Sequence, residues 1–130
     1  MILYLGAGIG AGLIFNNGLY RDASNFAGEL GHIELPPYPS KRFKAIEPSC
    51  SCGSCECLDY RIRNDVFEMT KESFSELNSA AIREYLTANP EKFEIFTYYI
   101  GKMANLLIDL LNLDLIEFTG KFKEVANYIW

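Results

Sequence analysis

Ile2-Leu3-Tyr4-Leu5 runs straight into Gly6-Ala7-Gly8-Ile9-Gly10-Ala11-Gly12, and the reading of that junction decides the fold. Four apolar residues ahead of a glycine series read as a short buried strand ending in a glycine-rich turn. Gly6-x-Gly8-x-x-Ala11 matches the dinucleotide fingerprint in form. That fingerprint needs a helix to begin at the glycines, so that its amides and dipole meet a pyrophosphate. Here Leu13-Ile14-Phe15 follows, then Asn16-Asn17-Gly18, then Leu19-Tyr20-Arg21. Apolar runs on either side of Asn-Gly read as a β-hairpin, because these residues reach positive φ at low cost. The dinucleotide reading fails on that context. Two readings of the loop remain: a tight hairpin with no ligand, or a β-turn whose bare backbone approaches a phosphate. Glycines at 6, 8, 10 and 12 leave no Cβ on one face, which suits the second.

Further along, Ala27–Leu35 reads as a loop running into a strand, and Pro36–Ser49 as an irregular loop carrying Lys41, Arg42, Phe43 and Lys44. From Leu58 the pattern turns helical. Asp59–Met69 is one expected helix. Ser73–Leu86 is a second, with Ser73 as N-cap and Glu76 three residues on. Asn89-Pro90 opens a third to about Asn112, with a core stripe of Phe93, Phe96, Ile100, Met103, Leu107 and Leu110. The stripe is too short for a coiled coil and reads as a packing face. Leu115–Thr119 reads as a strand and Lys121–Trp130 as the start of a helix. No internal repeat is present. The order strand, hairpin, helices, strand, helix predicts an α/β fold in one domain over residues 1–130. A start in a strand and a stop in a helix are expected of a fragment of something larger.

The 130 residues are about one ordinary domain, and 49% hydrophobic against 22% charged residues is enough for a packed core. A net charge of −5 argues against a nucleic-acid surface in this segment, which needs clustered Lys and Arg. DNA binding by another part of a longer parent is untouched by that argument. No signal peptide is visible. The apolar stretch near the C-terminus is broken by Lys102, Asp109 and Asp114 and is not expected to span a membrane. The chain reads as cytoplasmic, where clustered cysteines serve as metal ligands more often than as disulfides.

Such a cluster is present. Cys50, Cys52, Cys55 and Cys57 fall within eight residues, and the only histidine, His32, lies 18 positions upstream. One histidine with three of four cysteines supplies a tetrahedral zinc site, and spacing alone leaves open which cysteine is spare. A redox pair at Cys52-x-x-Cys55 lacks the strand–helix context of such pairs. Four core thiols do not fit the interleaved Ser51, Gly53, Ser54 and Glu56. With every position filled by protein, the metal would be structural. Glu29 and Asp59 bracket the same region; taken singly, each is an ordinary solvated charge.

Three pieces in order resemble one family: Gly6–Gly12, then Ala27-Gly28-Glu29-Leu30-Gly31-His32, then Cys50-Ser51-Cys52-Gly53-x-x-x-Cys57-Leu58-Asp59. The resemblance is to the ROK family of bacterial sugar kinases and sugar-sensing repressors. It implies a partial C-terminal lobe of the actin-like ATPase (ribonuclease H-like) fold. Residues 1–35 would carry the glycine loop and sugar segment, 36–59 the zinc loop, and 60–130 helices with one strand. It implies zinc ligands at His32, Cys50, Cys52 and Cys57, with Cys55 spare. It implies sugar contacts at Glu29, His32 and Asp59, and a nucleotide-phosphate loop at Gly6, Ala7, Gly8 and Gly10.

Departures from the family pattern matter. Ala7 stands where kinases of the family carry a phosphate-contacting Thr. Asp59 is one methylene shorter than the family's Glu. Cys55-Glu56 replaces x-Gly, and Thr119-Gly120-Lys121 replaces a double glycine. The family's catalytic Asp and Asp-x-Gly motif have no counterpart in the chain, so no phosphoryl transfer is expected of it alone. The resemblance implies a small sugar as ligand, ATP in the full-length parent if that is a kinase, and a homodimer. The parent is expected to be a sugar-responsive transcriptional regulator, its DNA-binding domain outside this chain. The alternative is an ATP-dependent hexose or amino-sugar kinase. A zinc-stabilised scaffold without ligand is a third, plainer expectation.

Overall fold

The computed structural model describes residues 1–126; the last part of the helix expected over Lys121–Trp130 lies outside the described residues. Strand β1 (Ile2–Leu5) is the centre of a three-stranded sheet. It pairs antiparallel with β2 (Ile9–Gly12) and parallel with β5 (Glu117–Gly120). The two-residue period of a strand sends Leu3 and Leu5 into the core, while Ile2 and Tyr4 face outward. The glycine series is therefore only partly a turn: Gly6–Gly8 turns the chain, and Ile9–Gly12 is strand. β3 (Ile14–Phe15) and β4 (Gly18–Leu19) form a second antiparallel pair. Its turn is Asn16-Asn17, at φ 50° and 62°, and Gly18 already belongs to the returning strand.

The expected strand before Leu35 is absent. A single 3₁₀ turn, Leu30–His32, occupies the segment, and Glu34 makes only an isolated bridge to Cys57. Helix α1 (Leu58–Arg61) runs on into a π-helical turn, Ile62–Phe67, closed by Glu68 at φ 55°. The expected helix over 73–86 is two helices. Thr70 caps α2 (Lys71–Glu76) by accepting from the Ser73 amide, so Ser73 is the third helical residue. Leu77 is extended, and Asn78 restarts the chain as α3 (Ser79–Ala88), accepting from the Ala81 amide at 2.8 Å.

Pro90 opens α4 (Pro90–Leu111), and Asn112 ends it in the left-handed region. Its buried face is wider than the expected stripe. Ile95, Tyr99 and Ala104 join Phe96, Ile100, Met103 and Leu107, whereas Leu110 is 71% exposed. A straight helix drifts off a 3.5-residue repeat by about 20° per heptad, so a seven-residue stripe leaves the core after two to three heptads. A short α5 (Lys123–Ala126) follows β5. No helix among the described residues is long and apolar enough to cross a membrane.

A polar knot ties the irregular loop to this core. Asp65 is fully buried, accepts from the Tyr99 hydroxyl and from Asn64 Nδ2, and faces Arg61 at 3.6 Å. Asn64 accepts from the Ile46 amide, and Arg63 donates to the Pro48 and Met69 carbonyls. These bonds satisfy the buried polar groups apart from Arg61 Nε, which has no partner among the described residues, and they fix the approach to Cys50.

Candidate functional site

Gly28 begins the site. Its φ of +96° and its closeness to the Ala11 carbonyl leave no room for a side chain. Its own carbonyl accepts from the Ala11 amide at 2.8 Å and from the Leu30 amide at 2.8 Å, which docks the following turn on the edge of β2. Two further bonds, Leu58 amide to Ile33 carbonyl and Leu35 amide to Glu56 carbonyl, strap that turn to the exit of the cysteine loop. His32 is thereby carried across 18 residues to the thiols. The cysteine loop closes on itself through the Gly53 amide and the Cys50 carbonyl at 2.8 Å, with Gly53 at φ +85°.

One ligand atom from each of His32, Cys50, Cys52 and Cys57 lies within 4.8 Å of the other three. Cys50 Sγ is 3.5 Å from His32 Nδ1. Ligands about 2.3 Å from a tetrahedral zinc stand roughly 3.8 Å apart, so this donor set and spacing fit the ion. Burial by itself would raise the Cys50 thiol, but the Cys52 amide and the Cys57 and Cys52 side chains outweigh it and bring it to about 7. Cys57 is pushed up, first by its burial, with Cys50 adding to the effect. Neighbouring thiols that compete for protons in this way are what a divalent cation relieves. Cys55 is not in the group. It lines a separate cavity with Phe43, Tyr60, Arg61 and Asn64.

The other ring nitrogen of His32, Nε2, stands 4.0 Å from Glu29 Oε2, with the two side chains 35% and 58% exposed. An imidazole and a carboxylate open to solvent on one edge can share the hydroxyls of a polar ligand. Asp59 is half-buried beside them. Burial raises its carboxyl above the ordinary range, Glu29 adds to this, and His32, the Ile9 amide and Lys71 oppose it.

Gly6–Gly8 lies alongside. The Gly6 amide donates to the Gly8 carbonyl at 3.0 Å, and Ala7 and Gly8 are exposed. Ala7 shares a cavity of about 20 Å³ with Cys50, Asp59 and Lys71, and its methyl offers no hydroxyl there. Gly10 belongs to β2, where it faces the Gly28 carbonyl. Of the residues the sequence singles out, Glu29, His32, Asp59, three cysteines and the Gly6–Gly8 turn come together. Gly10 lies just off the turn, and Cys55 lines the separate cavity. Lys71 joins the site with no signal in the sequence beyond a charge near a helix start.

The ROK family model matches residues 1–129. The chain is 41% identical over 70 residues to an N-acetyl-D-glucosamine kinase of Histophilus somni, covering 52% of this chain and 23% of the relative. It is 32% identical over 109 residues to an N-acetyl-D-glucosamine kinase of Vibrio cholerae, 82% of this chain and 36% of the relative. It is 34% identical over 111 residues to the xylose repressor of Bacillus subtilis, 79% and 26% respectively. The chain thus spans between about a quarter and about a third of the length of these relatives. A ROK hexokinase from Thermus thermophilus matches with a TM-score of 0.61 at 22% identity, over 92% of this chain and 39% of that one. At that identity the likeness speaks for the fold alone, which is mixed α/β.

Proposed function

The chain belongs to the ROK family, and on that premise we propose that it is the sugar-binding, zinc-stabilised segment of a sugar-responsive transcriptional regulator. The observation that carries this reading is His32. Its Nδ1 faces Cys50 while its Nε2 faces Glu29, so one ring joins the thiol cluster to the open carboxylate. Bound to His32, Cys50, Cys52 and Cys57, zinc would cross-link the Gly28–His32 turn to the cysteine loop and fix the histidine's tautomer. Nε2 then carries the proton and donates to a sugar hydroxyl, and Glu29 accepts from one. Asp59 stands beside them where the family pattern carries Glu.

As proposed, the chain is one partial lobe of the actin-like ATPase architecture, cytoplasmic, within a parent that dimerises and contacts DNA only through another domain. Ala7 favours a regulator, since a phosphate at the Gly6–Gly8 turn would find no hydroxyl donor. A second reading, an ATP-dependent hexose or amino-sugar kinase, draws support from the likeness to N-acetyl-D-glucosamine kinases. Titration calorimetry with xylose, glucose and N-acetylglucosamine tests the shared part. One of them should bind, and Glu29→Gln should weaken it by about tenfold, the weight of one charged hydrogen bond. No binding of any of the three, with zinc in place, contradicts the sugar site. ATP-dependent phosphorylation by the full-length protein would decide for the kinase.

A further inference from the structure

We propose that Asp59 is a positioning residue, whose carboxylate completes the outer edge of β2 and clamps the Gly6–Gly8 turn onto the Gly28–His32 segment, leaving Glu29 and His32 to meet the ligand. β2 lies at the end of the order β2-β1-β5, so its outward amides have no strand to bond. Two residues apart, Ile9 and Ala11 point the same way. The Ala11 amide bonds the Gly28 carbonyl at 2.8 Å, and the Asp59 carboxylate, packed against Gly8, stands beside the next outward amide on that edge, that of Ile9. A carboxylate at this place does the work of a missing strand.

The packing agrees. A Cβ on Gly31 would stand 2.7 Å from Asp59 Cγ and from both its oxygens, and a Cβ on Gly8 would stand 3.7 Å from Oδ2. One carboxylate therefore lies across Gly31 and against Gly8, bringing three separate segments together. The bare Cα of Gly31 in Glu29-Leu30-Gly31-His32 is what admits it. The space left beside Asp59 is about 20 Å³, room for one water and far below an ordinary ligand pocket. The clamp itself does not rest on the sugar reading; only the assignment of the ligand to Glu29 and His32 does.

Amide hydrogen exchange of the ¹⁵N-labelled, zinc-loaded chain tests this without any sugar. Asp59→Asn keeps an acceptor oxygen, and Asp59→Leu keeps the volume without one. Ile9 should exchange about tenfold or more faster in Asp59→Leu, by the weight of a hydrogen bond to a charged group, while Ala11 stays slow and Asp59→Asn restores most of the protection. Gly31→Ala attacks the same clamp from the other side and should also free Ile9 with Asp59 in place. Ile9 exchange unchanged in both Asp59→Leu and Gly31→Ala, or Asp59→Asn as fast as Asp59→Leu, would overturn the proposal.

Discussion

Glycine-to-alanine exchanges at three positions should give three different results from the same single methyl group. At Gly28 the backbone sits at φ +96°, and the new Cβ would press deep into the Ala11 carbonyl. Holding alanine at such a φ costs about 1–3 kcal/mol. Moving Ala11 away strains or breaks its 2.8 Å bond to Gly28, at about 1 kcal/mol more. The sum, about 2–4 kcal/mol, is a large part of the stability of a small domain. At Gly53 φ is +85° but nothing lies within 4 Å of a Cβ, so only the backbone strain of about 1–2 kcal/mol remains. At Gly101, inside α4 with open space around it, alanine should stabilise by about 0.5–1 kcal/mol. Urea unfolding in zinc-saturated buffer, with the slope m compared across variants, reads all three. A Gly28→Ala cost no larger than that of Gly53→Ala would refute the claim that the β2 edge and the histidine turn are in close contact.

Cys55→Ser should leave the bound zinc per chain unchanged, whereas Cys50→Ser should lose most of it; equal loss would place Cys55 among the ligands. Tyr99→Phe removes one donor to the buried Asp65 and should cost about 1–3 kcal/mol in thermal unfolding, with no change indicating that Asp65 finds another partner. Leu107→Ala should cost about 2–5 kcal/mol and Leu110→Ala close to nothing, because only the first is buried; similar costs in urea would mean that the outer face of α4 is covered.

The strand at Ile2–Leu5, the existence of α4 and the gathering of His32 with the cysteines were all legible from residue type and spacing. The boundaries were not, for local reasons. Ser73 with Glu76 imitates a capping box, yet Thr70 and Asn78 have the better-placed oxygens, and Leu77 leaves the helix between them. Gly6–Gly12 reads as one turn because glycine hides the strand alternation that Ile9 alone marks. The stretch Arg61-Ile62-Arg63-Asn64-Asp65 falls in the helix expected over Asp59–Met69, and its charged and polar residue types give no sign of burial. It is buried because its partners, Tyr99 and the backbone of Ile46, Pro48 and Met69, come from elsewhere in the chain. Spacing left the spare cysteine open. The resemblance pointed to Cys55, and the ligand atoms that gather are those of His32, Cys50, Cys52 and Cys57.

The central claim is that His32 links a thiol-bound metal to an open ligand edge. Zinc per chain, measured by plasma mass spectrometry on the purified protein and on His32→Ala, tests it most directly. About one zinc per chain is expected, lost or strongly weakened in the variant because one of four ligands is removed. Absence of zinc, or zinc held equally well without His32, would contradict it.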